Sequence, residues 1–293
     1  MVTVCTYGRP DGLSRLLTSL RTEVGEWVDV LVVDNNPPGT DVLADVRAAF
    51  KWVTFVAEPE PGIPAARNRA LEHIDGYWAV IFVDDDEYVA PGWLVAHVQY
   101  AKQSDAAVFF GPVISEYEPG SDSRVVRGQI LDRARHKTGT ELPYGPTNNT
   151  LVKVSALTSG SRFDPRFTMS GGSDVHFFAR LRQEGHKLAW NDAALVHESI
   201  PASRASVAWV QRRYERMGHN LVSLNRDQDR RRLRLGALAR IAMGGASMPL
   251  EWLTRRKLKG ATGRLWVGVG MLRALRGDEH VEYVRSEVKN VNA

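Results

Sequence analysis

A chain of 293 residues, 43% hydrophobic and 25% charged, is globular and long enough for one large domain or a domain with an appendage; it shows no repeat and no low-complexity tract. Its one cysteine, Cys5, excludes a disulfide framework and a cysteine-rich zinc site. The net charge of +4 conceals two unlike parts. Residues 1–200 carry 19 Lys+Arg against 26 Asp+Glu, a net of −7, and residues 201–293 carry 19 against 8, a net of +11, so the second part expects an anionic partner.

The first strand, Val2–Thr6, follows Met1 directly with no charged-then-apolar leader, which points to the cytoplasm. After the turn residues Tyr7–Gly12, Leu13, Leu16, Leu17 and Leu20 recur at helical spacing and predict a helix packed on a sheet. Val28–Val33 is a second buried strand ending at Asp34. A helix is expected over Leu43–Phe50, a strand over Val53–Val56, and a helix over Ala65–Ile74 after the Pro- and Gly-rich breaks at 59–64.

The apolar run Ala79–Val83 then reads as a strand buried on both faces, and it stops at Asp84-Asp85-Asp86-Glu87. Extended geometry sends Asp84 and Asp86 one way and Asp85 the other. Two carboxylates converging from a rigid strand end suit a hard divalent cation that also holds phosphates; a solvated acidic turn is the alternative. Strand–helix alternation predicts an α/β fold with a largely parallel sheet, in which ligands bind at the carboxyl ends of strands. Thr6-Tyr7, Asp34 and Asp84–Asp86 all fall there.

Further on, a helix is expected from Trp93 to about Lys102 and strands over Ala106–Phe110 and Leu151–Val154. Residues 115–145 are polar, Gly-rich and dotted with cations, and no role is assigned in them. Asn148 and Asn149 fit either hydrogen bonds to sugar hydroxyls or a plain turn. Gly171-Gly172-Ser173-Asp174 opens a helix running to Glu184, where Asp174 is either a cap or a functional carboxylate. His197 lies near the end of a strand and by itself reads as an ordinary strand-end histidine.

Five motifs, in order, carry a resemblance: Thr6-Tyr7-Gly8-Arg9-Pro10, Val32-Val33-Asp34-Asn35-Asn36, Gly62–Asn68, Phe82-Val83-Asp84-Asp85-Asp86 and Gly171–Val175. Together they resemble family 2 glycosyltransferases with the GT-A fold, over roughly residues 1–200. Thr147–Thr150, Phe163–Phe167 and the basic, apolar tail are most similar to bacterial enzymes that extend lipid-linked polysaccharides, such as the succinoglycan-type glucosyltransferases.

The resemblance implies a catalytic domain over 1–202, with a donor half to about 110 and an acceptor half beyond it, and a basic helical region over 203–293. It implies an inverting transfer from a nucleotide-diphosphate sugar, usually UDP-linked, to a hydroxyl on a glycan, a lipid-linked acceptor or a small molecule. Carried over by position, Thr6, Tyr7, Arg9, Asp34, Arg67, Asp84 and Asp85 bind the donor. Asp86 holds Mn²⁺ or Mg²⁺, with His197 a further candidate. Asn148, Asn149 and Gly172 face the acceptor, and Asp174 is the general base. Departures occur at Ser173, where Glu is usual, at His176, where Asp is common, and at Cys5 and Gly8. A catalytically inactive assembly subunit is the alternative of another class. A nucleotidyltransferase is disfavoured because Tyr7-Gly8-Arg9-Pro10 is too short for its phosphate loop.

In the tail, Val207, Val210, Tyr214, Met217 and Leu221 line one helix face, with Arg212, Arg213 and Arg216 on another. Arg230–Arg234 and Arg255–Lys259 follow, separated by the apolar Ile241–Leu253 and followed by Leu265–Leu272. These stretches are too short to cross a bilayer. Basic clusters beside short apolar segments suit a helix lying in the interface of an anionic membrane, at its cytoplasmic side; a helical cap or a contact between copies is the alternative. Nucleic acid is not expected.

Overall fold

In a computed structural model, residues 1–278 are described, except 26, 169–170, 226–227 and 255–258. Most of the second basic cluster of the tail, and Met169-Ser170, therefore lie outside the described residues. The first half runs β1 (Val2–Thr6), α1 (Pro10–Glu23), β2 (Val30–Asp34), α2 (Ala44–Ala49), β3 (Thr54–Ala57), α3 (Ile63–Leu71), β4 (Ala79–Asp84), β5 (Glu87–Val89), α4 (Trp93–Gln103), β6 (Val108–Phe110) and β7 (Val113–Tyr117). The second half adds α5 (Ser123–Arg127), β8 (Thr150–Lys153), α6 (Ser173–Gln183), β9 (Leu188–Trp190), β10 (Val196–Ile200), α7 (Val207–Leu224), α8 (Arg230–Thr254) and α9 (Lys259–Arg276).

Seven strands form the main sheet in the order β3-β2-β1-β4-β8-β6-β9. All neighbours are parallel except β8, which runs against both β4 and β6. The strands read as unbroken apolar runs because both faces are covered. Val2, Val4, Val30, Val32, Ile81 and Val83 face a core shared with α1 and α4. Leu31, Val33, Val80 and Phe82 face the opposite core, with α3 and α6. The four leucines of α1 are all fully buried, as their spacing predicts.

A second, three-stranded sheet, β5-β10-β7, was not legible in the sequence. It begins one residue after the acidic turn and carries the chain into α7. The tail departs from its predicted face. Val210 and Tyr214 bury against Val125, Ile130 and Ile200, and the Tyr214 hydroxyl donates to the Ile130 carbonyl at 3.0 Å. Val207 and Met217, expected on the same face, are exposed. The reason is that α7 is clamped twice, by the sheet body on one side and by α9 on the other. At the second contact Gly218 and Gly270 let backbones meet: a Cβ on Gly270 would stand 1.9 Å from the Glu215 carbonyl oxygen, and one on Gly218 2.2 Å from that of Val267.

A candidate active site at the carboxyl edge of the sheet

Register brings the predicted strand ends together. Thr6 lies opposite Asp34 across β1–β2, and Cys5 opposite Asp84 across β1–β4. Beyond this point the expected alternation of the aspartates fails. Strand β4 ends at Asp84, and Asp85 and Asp86 form a turn. The cause is Glu87, which is fully buried and accepts the Asp84 backbone N–H at 3.0 Å, closing the turn. Asp85 and Asp86 thereby share one partner: Arg9 Nη1 donates to Asp85 Oδ1 and to Asp86 Oδ2, both at 2.8 Å. Thr6 Oγ1 donates to the other oxygen of Asp85, also at 2.8 Å. Buried and doubly bonded, Asp85 and Thr6 lock the loops to each other, so the donor contacts expected of them are engaged internally.

Asp34 is likewise engaged, accepting from the Asn36 backbone and amide at 3.0 and 2.7 Å and pairing with Arg47 at 2.6 Å. Tyr7 stands exposed at the mouth of the edge. Asp84 keeps 42% of its side chain open. The protein packed around it, opposed by Arg67 and aided by the Asp86 carboxylate, pushes it up to about 6. Burial, and then the Asp84 charge, hold Glu87 well above the usual carboxylate range.

Arg67, predicted from the α3 motif, is buried and links two halves of the site. Its Nη2 is 3.8 Å from Asp84 Oδ1, and its Nη1 reaches Ser173 Oγ at 3.5 Å. Its guanidinium also lies over the Phe163 ring. Ser173 and Asp174 form the first turn of α6. The helix is capped by Gly172, whose φ of 93° suits glycine, so Asp174 is not its cap. Asp174 is half-buried, and its Oδ1 accepts the Val175 N–H at 2.9 Å.

Asn149, Asn148 and His197 each have partners within the protein. Asn149 is fully buried with a φ of 56°. Its Oδ1 accepts from Trp93 Nε1 at 2.7 Å and pairs with His97 Nε2 at 2.9 Å, while its Nδ2 donates to the carbonyls of Pro112 and Ala194. Asn148 is buried and donates to Glu87 at 2.8 Å. Both asparagines are thus engaged within the fold. The ring of His197 pairs with Glu116 at 2.9 Å and stacks on Tyr88. Alternation along β10 puts its neighbour, Glu198, on the opposite face. There Glu198 accepts from Arg133 Nε and Nη2 at 3.1 and 2.7 Å.

Sequence reasoning missed Glu87, Arg133, Glu198 and Arg204. Arg204 Nη1 lies 3.2 Å from Asp86 Oδ2. Glu87 had a signal, as a fourth acid directly after a buried strand; the others are separated in sequence and meet only through the second sheet. Among the described residues no group of three or more His, Cys, Asp or Glu is arranged to hold a metal ion.

Comparisons with known proteins agree with this architecture. Residues 1–159 match the sequence profile of glycosyl transferase family 2. Over 221 residues the chain is 32% identical to the succinoglycan biosynthesis protein ExoM of Rhizobium meliloti (strain 1021), covering 73% of this chain and 71% of that one. Among solved structures it is similar to the mannosyltransferase PcManGT from Pyrobaculum calidifontis in complex with GDP-Man and Mn²⁺, with a TM-score of 0.62 and 19% identity over 95% of this chain and 87% of that one. It is also similar to GalNAc-T7 with UDP, GalNAc and Mn²⁺, with a TM-score of 0.53 and 12% identity over 68% of this chain but only 43% of that one. At such identities the structural likenesses show the fold alone, which is GT-A. The profile match over more than half the chain and the likeness to ExoM show the family: this chain belongs to glycosyl transferase family 2, in its bacterial polysaccharide branch.

Proposed function

We propose that this protein is an inverting, metal-dependent glycosyltransferase that moves a sugar from a nucleotide-diphosphate donor, UDP-linked in our reading, to a hydroxyl of a lipid-linked or other glycan acceptor. The observation that carries this is Arg67, whose guanidinium spans from Asp84 at the end of β4 to Ser173 beside Asp174. A planar fork suited to phosphate oxygens thus stands between the acidic turn and the carboxylate that would act as base. In a single displacement the acceptor oxygen attacks the anomeric carbon and Asp174 takes its proton. The bond from that carbon to the diphosphate oxygen breaks, and the nucleoside diphosphate leaves with the electron pair.

The acidic turn fits Mn²⁺ or Mg²⁺. Such ions accept one or two carboxylates and complete their shell with phosphate and water, so a site of fewer than three protein ligands suffices. Asp86, with Asp84 beside it, would hold the ion, and the guanidinium groups of Arg9 and Arg204 on Asp86 mark where positive charge sits. When bound, the ion neutralises charge developing on the leaving diphosphate. Tyr7 and Arg9, at the same edge, would complete the donor site.

The tail supports association with an anionic membrane, at its cytoplasmic face. No helix among the described residues is long and apolar enough to cross a bilayer. The outward side of α8 exposes Leu235, Leu238, Ala239, Ala242, Met243 and Ala246, with Arg231, Arg232 and Arg234 exposed at its start. That is an apolar stripe with cations at one end, the pattern of an interfacial helix.

The test is a panel of nucleotide-sugars with Mn²⁺, read by thermal shift and by release of nucleoside diphosphate, with and without EDTA. One donor class should raise the melting temperature and be consumed only with metal. Binding of no nucleotide-sugar, or turnover indifferent to EDTA, would overturn the reading.

A further inference from the structure

The acidic turn has a second flank, formed by residues that the sequence did not join to it. Strand β10 ends at Ile200, and the chain turns through Pro201–Ala205 into α7, which Ser206 caps by accepting the Trp209 N–H. A cleft opens here between Glu198, Ser199, Arg204, Trp209 and Arg213. Arg204 reaches out of it to Asp86. Arg213 lies one helical turn beyond Trp209, with its guanidinium over the indole ring at 5.4 Å.

The charges in this cleft are not matched. Glu198 is held by two nitrogens of Arg133. Arg213 makes no ion pair or hydrogen bond among the described residues, and it faces the like charges of Arg133 and Arg216, offset in part by the Glu198 carboxylate. Burial, and then Arg133, lower its hold on its own proton. The carboxylate that lines this cleft, Glu198, attracts Arg213 but is already held by two nitrogens of Arg133, and a packed guanidinium short of a carboxylate of its own is costly unless an anion joins it. The cleft borders the carboxylate to which we assign the metal, so an anion seated in it would lie beside that ion. On the same helix, Asn220 comes within 3.7 Å of where a Cβ on Gly172 would be, at the N-terminus of α6. The connecting turn therefore reaches Asp86, and α7 comes close to the N-terminus of α6.

We propose that Arg204 and Arg213, flanking Trp209, form a phosphate-binding cleft that adds a second set of cationic contacts to those of Arg9 and Arg67. This rests on the glycosyltransferase reading above. Two guanidinium forks suit a tetrahedral phosphate oxygen set. The phosphate is either the terminal one of the donor's diphosphate or one that links the acceptor to its carrier.

The experiment is a binding ladder on the full chain with Mn²⁺, using uridine, UMP, UDP and the guanosine series, with farnesyl diphosphate as a phosphate-bearing stand-in for a lipid-linked acceptor. It is run on wild type, Arg213→Gln, Arg213→Lys, Arg204→Gln and Asp86→Ala. If the cleft takes the donor, Arg213→Gln and Arg204→Gln each weaken the nucleoside diphosphate about tenfold or more and leave the monophosphate unchanged, since a charged hydrogen bond is lost only at the terminal phosphate. If it takes the acceptor, the nucleotide ladder is unaltered and farnesyl diphosphate binding is lost. Arg213→Lys should recover part of either effect, because it keeps the charge without the fork. Folding is checked by circular dichroism. Should Arg213→Gln not fold, Arg204→Gln, in the connecting turn, decides alone. If folded variants bind both diphosphates as wild type does, while Asp86→Ala loses the nucleotide, the cleft is refuted and the function stands. If wild type binds no diphosphate, both fall.

Discussion

The sheet-bearing part and the three long C-terminal helices are held together by opposite means. In the first, buried polar groups answer one another: Asn149 satisfies four partners, and Asp85 is held by Thr6 and Arg9. In the second, small residues bring backbones into contact at Gly218 and Gly270, while larger apolar side chains are left outside on α8. The first arrangement fixes angles and so suits chemistry. The second fixes a surface and leaves its outer face for another phase. Helix α7 belongs to both, burying Tyr214 in the body and Glu215 against Arg273 of α9.

The strongest way to sharpen that contrast is to remove chemistry from the body without touching its packing. Asp174→Asn should lower transfer by about 10²- to 10⁴-fold, with an unchanged melting temperature and unchanged donor affinity in the thermal-shift assay. Transfer within twofold of wild type would break the assignment.

Next comes the body's polar interior. Desolvation pushes His97 down to about 4, opposed by its bond to Asn149. Between about 4 and 6.5 the unfolded chain binds a proton there that the native chain does not, so stability rises with pH across that window and is lost as pH falls through it. The full effect is at most about 3 kcal/mol. Denaturant midpoints at pH 7 and 4.5 should show it, and His97→Gln should flatten the difference.

The helices should respond to volume instead. Gly270→Val places a side chain against the Glu215 carbonyl and should cost about 1–3 kcal/mol through overpacking. Limited proteolysis should then cut α8 and α9 while the sheet body survives. Loss of both parts together would show that they do not respond separately. The smallest effect falls on the outer face. Leu238→Glu with Met243→Glu should leave the melting temperature unaltered and weaken sedimentation with phosphatidylglycerol vesicles about tenfold, from the lost apolar burial.

Much of this was legible in sequence where local rules suffice. The leucines of α1, the apolar run of β4 and the glycine before α6 each fix their element through periodicity or φ. Arg67, singled out by its motif, reaches Ser173, the residue before Asp174. The aspartates of the acidic turn were misjudged because alternation holds only while the strand lasts, and Glu87, by taking the Asp84 N–H, ends it. The internal partners of Asn148 and Asn149 were not legible because they lie tens of residues away, at 87, 93, 97, 112 and 194. Periodicity predicts that α7 is amphipathic, but which side faces outward depends on the glycine contacts with α9, and no spacing encodes those.

The side chain of Asn149 carries a consequence for synthesis on the ribosome. One of its amide protons goes to the Ala194 carbonyl, so the knot around Trp93 and His97 cannot close until that residue has emerged from the exit tunnel. Nascent chains stalled earlier should hold this pocket open to water and to chaperones, and become protease-resistant in one step once translation passes it.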